Sequence, residues 1–394
     1  MADNMMTDKD YMERAIKLAA MGIGWTNPNP MVGAVIVKDG RIIGEGYHHK
    51  CGLLHAERDA FEDCKEDTKG ATIYVTLEPC CHHGKQPPCT EAIVEHGIAR
   101  VVIGSRDPNP LVSGKGVEFL RQHGIEVVTD FMRQECDKLN PVFFHYITTK
   151  KPYVVMKYAM TLDGKIATRT GASKWITSEA ARDHVHMLRK KYSAILAGIG
   201  TVLSDDPMLN CRNDKIEDPD GKLLTVEPHQ PLRVVVDSKL RIPEDSAIVK
   251  TSKEYKTVVA CAYEEDQVTD EVKDKIIRLY DAGIEVLFMN HDGKVDLVKL
   301  IEWLGEHGYD SLLIEGGGSI GEAALKAGIV NHLMAYVAPK IFGGCQAKSP
   351  VEGEGVELVD QAAEFKLVDK KMFGEDILLE YDLVKGMNDV YWNS

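Results

Sequence analysis

The sequence predicts an α/β protein of two domains. It is 394 residues long, strand-like and helix-like stretches alternate along it, and the alternation restarts after a proline-marked junction. The expected domains are residues 1–148 and 149–394. The first is expected to be a three-layer α/β/α domain with a mixed sheet, the second a separate α/β domain.

The elements follow in order. Tyr11, Met12, Ala15, Ile16 and Ala19 recur at helical spacing. A turn follows at Thr26-Asn27-Pro28-Asn29-Pro30. Asp39-Gly40 between apolar runs predicts a hairpin over 31–46. A short helix is expected from His55, and a buried strand over 71–77. Thr90 is expected to cap a helix that Gly97 ends. Strands at 101–104 and 126–128 flank a helix at 116–123. Residues 140–152, with Pro141 and Pro152, read as the junction. Beyond it, strands are expected at 153–160, 194–197, 232–236, 257–262, 285–288 and 311–314. Helices are expected at 178–190, capped by Ser178, and at 268–282 and 295–308. The polar stretch 213–229 reads as a loop.

Composition is that of a globular chain, 44% hydrophobic and 27% charged. The net charge of -14 disfavours nucleic acid and anionic membranes as partners. No apolar run suggests a transmembrane span, and the polar, acidic N-terminus does not read as a signal peptide, so cytoplasmic residence is expected. Nine scattered cysteines argue for thiols and a metal site over disulfides.

The chemistry gathers at 76–91, T-L-E-P-C-C-H-H-G-K-Q-P-P-C-T-E, with His55-Ala56-Glu57 upstream. Together they read H-x-E … P-C-x8-C. One imidazole and two thiolates would hold zinc with its fourth position open, and a carboxylate two residues from the histidine could move protons there, as in zinc deaminases. Bound zinc lowers the pKa of water to about 7. The competing expectation is a structural zinc knot, with His82 or His83 as fourth ligand. Pro79 favours Cys80 over Cys81.

These motifs resemble the bifunctional deaminase/reductase family of riboflavin biosynthesis. E-P-C-x-H-x-G-K-x-P-P-C matches its first domain, which is cytidine-deaminase-like. The resemblance implies His55, Cys80 and Cys89 as zinc ligands and Glu57 as the proton shuttle. The loops T-x-P-N-P and R-D-P-N-P match at 26–30 and 106–110, implying substrate contacts from Asn27, Lys85, Asp107 and Asn109. The chain departs from the pattern at Cys81, where serine is usual, and at Gln86, where threonine is usual.

In the second half, Glu315-Gly316-Gly317-Gly318-Ser319-Ile320-Gly321 is a glycine turn between a strand and a helix, suited to a phosphate. It satisfies G-x-G-x-x-G, but after Glu322 no acid follows until Glu352, against a Rossmann reading. Three consecutive glycines imply close approach of some group to the backbone. Taken alone, Trp175 reads as core more often than as a cofactor shelf, while Arg189 reads equally as a solvated helix-end cation or a substrate contact. K-x-A-x-S/T-L-D-G at 157–164, S-x-W-I-T at 173–177, the T-V-x-x-D-D-P run at 201–207 and Val236-Asp237-Ser238 match the same family's reductase half, which has a dihydrofolate-reductase-like fold. The resemblance implies an NADPH site at Ala159, Trp175, Thr201, Asp205, Ser238, Gly317, Gly318, Ser319, Ile320, Gly321, Glu322 and Ala323. It implies substrate contacts from Ser173, Arg189, Leu209, Arg212 and Glu315, with the two arginines able to fork onto a phosphate. No proton donor for the reduction is evident.

The resemblance further implies the reactions: hydrolytic deamination of 2,5-diamino-6-(5-phosphoribosylamino)pyrimidin-4(3H)-one to 5-amino-6-(5-phosphoribosylamino)uracil, then reduction of the ribosyl to a ribityl chain. The expected partners are this small molecule and further copies of the chain in a homo-oligomer. The alternatives are an RNA or nucleoside deaminase with an unrelated appended domain, and a zinc-knotted binding module.

Overall fold

In the computed structural model, which describes residues 6–83, 86–109 and 112–386, the chain forms two units. The first runs through Lys150 and takes back residues 214–227, which the expected boundary at 148/149 assigned to the second. The second holds 151–213 and everything from 228 onward.

The first unit opens with α1 (Asp8–Ala20), whose cap Thr7 accepts from Asp10 N. β1 (Gly33–Lys38) and β2 (Arg41–Tyr47) form the expected hairpin, with Asp39 and Gly40 both at positive φ. Then come α2 (Ala56–Asp63), β3 (Thr72–Leu77), α3 (Cys89–Glu95), β4 (Arg100–Ser105), α4 (Lys115–Gln122), β5 (Glu126–Val128), α5 (Arg133–Asp137) and α6 (Pro141–Thr149). The sheet order is β2-β1-β3-β4-β5, antiparallel in its first three strands and parallel in its last three. Alternate residues of its strands face opposite layers. Val35, Tyr74 and Val102 pack on α1 and on Cys136 of α5; Ile36, Ile73 and Ile103 pack on α2, α3 and α4. The domain is thus the three-layer mixed-sheet fold the alternation predicts.

Three local expectations change. The proline-marked junction is largely helix: Pro141 sits at the first turn of α6, where its missing N–H costs nothing. Thr90 lies inside α3, which begins at Cys89. The supposed loop at 213–229 contains a small hairpin, Lys215–Glu217 against Leu223–Thr225. It belongs to the first unit, where Asp220 pairs with Arg14 and Glu227 O accepts from Trp25 Nε1.

The second unit contains β6 (Tyr153–Thr161), α7 (Glu179–Lys191), β7 (Ala194–Gly198), α8 (Ile199–Asp205), β8 (Leu232–Val236), β9 (Thr257–Cys261), α9 (Asp270–Asp281), β10 (Ile284–Phe288), α10 (Leu297–Glu306), β11 (Ser311–Gly316), α11 (Gly318–Lys326), β12 (His332–Ala338), β13 (Glu364–Phe373) and β14 (Asp376–Lys385). Ser178, Thr269 and Asp296 cap α7, α9 and α10 with their side-chain oxygens. The sheet order is β10-β9-β8-β7-β11-β6-β12-β14-β13. Pairing is parallel from β10 to β12 and antiparallel beyond. The central strands are apolar on both faces, as a sheet covered on both sides requires. Arg233, fully buried at the start of β8, donates to the carbonyls of Met208, Ile248 and Tyr255 and to the hydroxyls of Thr251 and Thr257. It thereby holds the loop before Arg212.

Candidate active sites

Three elements of the first unit meet at one point. His55 is the residue before α2, in extended conformation. Cys80 lies in the loop after β3, and Cys89 is the first residue of α3. His55 Nδ1 is 3.5 Å from Cys80 Sγ and 3.4 Å from Cys89 Sγ. The three donor atoms lie within 4.8 Å of one another, and among the described residues no fourth metal-ligating side chain joins them. The four-ligand knot therefore finds no support from His82, His83 or Cys81. Backbone bonds set the cluster. Cys89 N donates to Cys80 Sγ at 3.3 Å, and Thr90 N and Oγ1 both donate to Cys80 O. Arg58 closes the loop by donating to the carbonyls of Pro87 and Pro88.

The electrostatics fit a cation. The Cys89 thiol, with His55, pulls Cys80 down to about 4 against the cost of burial, and the same contact pushes Cys89 well up. Without a counter-charge one sulfur ionises at the expense of the other. Glu57, the second residue of α2 and 3% exposed, is raised by burial beside them. A divalent ion here would make both sulfurs thiolates and give Glu57 its missing counter-charge. One nitrogen and two sulfurs suit zinc.

The surrounding loops carry polar groups. His48 donates from Nδ1 to Leu54 O at 2.7 Å, which leaves Nε2 to accept from Asn29 Nδ2 at 3.2 Å. Its ring stands edge-on to His55 at 5.5 Å. Neither His48 nor Asn29 was singled out from sequence; Asn27, which was, lies half-buried on the same loop. Asp107 accepts from Asn109 N at 2.8 Å, and burial pushes its carboxyl up to about 6. Glu78, buried two residues before Cys80, accepts from Gly114 N and Val117 N at the start of α4. Lys85 falls outside the described residues.

In the second unit a cleft of about 1140 Å³ opens at the carboxyl ends of β6, β7, β8 and β11, where ligands bind in open α/β sheets. Its wall includes Ala159, Ser173, Trp175, Arg189, Thr201, Asp205, Arg212, Ser238, Glu315 and the turn from Gly317 to Gly321. Leu209, Glu322 and Ala323 are not in that wall. Leu209 is buried, Glu322 faces Lys326 and Glu354 N, and Ala323 packs on the core. Trp175 is 65% exposed in the cleft, with the Arg182 guanidinium 4.3 Å above its ring, so the core reading fails.

Two expectations are revised by contacts. The close approach to the glycines is made by the chain itself: a Cβ on Gly318 would meet Glu352 and Ser349 O, and one on Gly316 would meet Thr201 Oγ1. Arg189 spends its fork internally, on both oxygens of Glu315 at 2.7 Å and on Asn210 O at 3.1 Å. Lys157, on the cleft wall, has its pKa lowered by burial. Sequence reasoning passed over it because nothing in K-x-A shows what packs around the lysine.

A three-layer unit with one imidazole, two thiols and a buried carboxyl, followed by a mostly parallel unit with a glycine-turn cleft, defines a zinc deaminase joined to a nucleotide-dependent reductase. Residues 5–105 match the cytidine and deoxycytidylate deaminase zinc-binding region, and 152–379 match the RibD C-terminal domain. The chain is 55% identical to riboflavin biosynthesis protein RibD of Actinobacillus pleuropneumoniae, over 96% of each chain. It is 40% identical to RibD of Escherichia coli K12, over 95% of this chain and 99% of that one. A solved Thermotoga maritima structure, described as a diaminohydroxyphosphoribosylaminopyrimidine deaminase/5-amino-6-(5-phosphoribosylamino)uracil reductase, is similar with TM-score 0.79 and 40% identity, over 95% of this chain and 97% of that one. Acinetobacter baumannii RibD gives TM-score 0.80 and 37% identity, over 96% and 99%. The chain belongs to the RibD family of riboflavin-biosynthesis proteins.

Proposed function

We propose that this bifunctional enzyme deaminates 2,5-diamino-6-(5-phosphoribosylamino)pyrimidin-4(3H)-one in its first unit and reduces the product's ribosyl group in its second. The observation that carries the reading is the convergence of His55, Cys80 and Cys89 beside the buried Glu57.

His55, Cys80 and Cys89 would hold zinc, which when bound would supply the Lewis acidity that lets water act as a nucleophile near neutral pH. Glu57 accepts a proton at its carboxylate and delivers it to the departing amine, which leaves as ammonia. Asn29, held against His48, and the tethered Asp107 and Asn109 present hydrogen-bonding groups for the ring and ribose.

NADPH, when bound in this cleft, would supply the hydride for C1′ of the ribose. The residues around it position and protonate. Lys157, whose lowered pKa makes its ammonium a stronger acid, is the donor of the proton that the ribose ring oxygen takes as the C1′–O bond opens. Glu315 accepts from Arg189 and from there orients substrate. Trp175 offers an exposed ring and Ser238, Thr201 and the 317–321 turn offer polar contacts to the dinucleotide.

The partners proposed are the phosphoribosyl pyrimidine and further copies of the chain, in the cytoplasm, with neither nucleic acid nor membrane. The charge of -14 supports this, and no helix among the described residues is long and apolar enough to cross a membrane. The match at 152–379 speaks against an RNA deaminase with an unrelated appendage. The test is incubation with the diaminopyrimidinone phosphate, following ammonia and NADPH separately. Ammonia release without NADPH, then NADPH oxidation, is expected; release with no NADPH oxidation would overturn the second assignment.

A further inference from the structure

The L-D-G run at 162–164 is a motif that neither reaction gives a role. β6 and β12 are parallel neighbours paired to their last residues, Thr161 with Ala338. The segments that leave them therefore start side by side. Leu162 N donates to Lys340 O at 2.8 Å. Asp163 accepts from Phe342 N at 3.2 Å on one carboxylate oxygen and from Gly343 N at 2.7 Å on the other. The Thr161 hydroxyl first, then those two N–H groups, outweigh desolvation and hold the Asp163 carboxyl down to about 2. The turn after β6 is thus a clamp on the segment after β12. Leu162, Asp163 and Lys340 all lie outside the cleft wall.

The clamp reaches the cleft through one side chain. Lys340 Nζ donates to Trp175 O at 2.8 Å and to Ile176 O at 2.6 Å. An ammonium has donors and no acceptor, so two successive carbonyls turned toward it fix the backbone just past Trp175. That backbone lies between β6 and α7, where neither strand nor helix supplies its bonds. The far end of the stretch is tied separately, by Ser178 N to Asp376 Oδ2 at 2.6 Å. The Arg182 guanidinium covers one side of the indole at 4.3 Å and donates to Thr177 O at 2.7 Å. The residue is still 65% exposed on the cleft wall, so the rest of the ring is open to a ligand. A flat aromatic surface contributes by stacking only when its angle matches the ring laid against it.

We infer that Lys340 is a positioning residue for the reductase, an assignment that rests on the reductase reading. From outside the cleft it holds the Trp175 backbone so that the open face of the indole meets the bound dinucleotide, and the L-D-G turn holds Lys340 in place. Lys340 touches no ligand; it acts through Trp175.

The test is calorimetric binding of NADP+ to the full chain, with NADPH oxidation on deaminated uracil phosphate measured beside it. Lys340→Met keeps the stem and loses the ammonium, whereas Lys340→Arg keeps charged donors. Loss of a hydrogen bond from a charged group predicts a Kd for NADP+ raised roughly tenfold in Lys340→Met, largely restored in Lys340→Arg. The KM for NADPH should rise with it while the KM for the pyrimidine stays at the parent value. In a Trp175→Ala background Lys340→Met should cost no further affinity, because no ring is left to aim. A lysine that bound the dinucleotide itself, or only steadied the fold, would cost the same in both backgrounds. Asp163→Ala frees the segment that carries Lys340; it should weaken NADP+ in the same direction and also fall silent beside Trp175→Ala. It carries the comparison if Lys340→Met does not fold. Parent-level NADP+ binding in Lys340→Met, or a loss that persists in the Trp175→Ala background, overturns the assignment. A parent chain that binds no NADP+ would instead count against the reductase reading.

Discussion

Arg189 on α7 and Glu315 at the end of β11 form a two-pronged ion pair, Nε to Oε1 and Nη2 to Oε2, each at 2.7 Å. Both side chains are largely buried. The pair locks α7 to the glycine turn that follows β11, so the geometry of the cleft depends on it. Removing one partner strands the other charge. Glu315→Gln should cost about 3–5 kcal/mol. Burial alone would raise Glu315, but Arg189 and Lys157 outweigh it and its pKa lies below the ordinary value. The contribution to stability is then present above the unfolded carboxyl value of about 4.3 and is lost as pH falls through the lower folded value. Urea midpoints from pH 7 to pH 3 should fall more steeply in the parent than in Glu315→Gln; parallel curves would refute the pairing.

Glu57→Gln preserves shape and hydrogen-bonding length but cannot take a proton. Zinc content should stay at the parent level while ammonia release drops by about 10²–10⁴. Metal analysis and an ammonia assay on the same preparation check this. Deamination near the parent rate would mean that another group moves the proton.

The ligand set makes a sharp distinction between neighbours. Cys89→Ser and His55→Ala should lose the metal, whereas Cys81→Ser should keep it, because Cys81 lies outside the cluster of donor atoms. Chelation of the parent should abolish ammonia release and leave NADPH oxidation of already deaminated substrate intact. Metal loss in Cys81→Ser would show that the two adjacent thiols exchange roles.

Glu78 links the segment bearing Cys80 to the start of α4, and so to the loop of Asp107 and Asn109. Glu78→Ala leaves two helix-start N–H groups without acceptors, a cost of about 1–3 kcal/mol. Glu78→Gln retains an acceptor oxygen and should lose less. In Glu78→Ala the KM of deamination should rise while zinc stays bound. Equal kinetics in all three proteins would reduce Glu78 to a local cap.

Much of the architecture was legible because local signals were strong. Asp39-Gly40 forced a hairpin, and Ser178 marked the start of α7. The strands between β6 and β11 read as short apolar runs because both their faces are covered. The last three strands were passed over. β13 and β14 alternate weakly and carry charge, since much of their surface faces solvent. The junction helix α6 was hidden by Pro141, which sits in its first turn where a helix tolerates it, and by Pro152 just beyond its end.

The sites divide in the same way. Chain chemistry alone set the donor types and their order, because zinc tolerates few ligands and H-x-E before P-C-x8-C supplies them. What it could not set was direction. Whether Trp175 faced core or cleft, and whether Arg189 was free or bound to Glu315, depended on residues far apart in sequence. Packing decides which way a side chain points and which partner reaches it first, and those neighbours are fixed only once the sheets close.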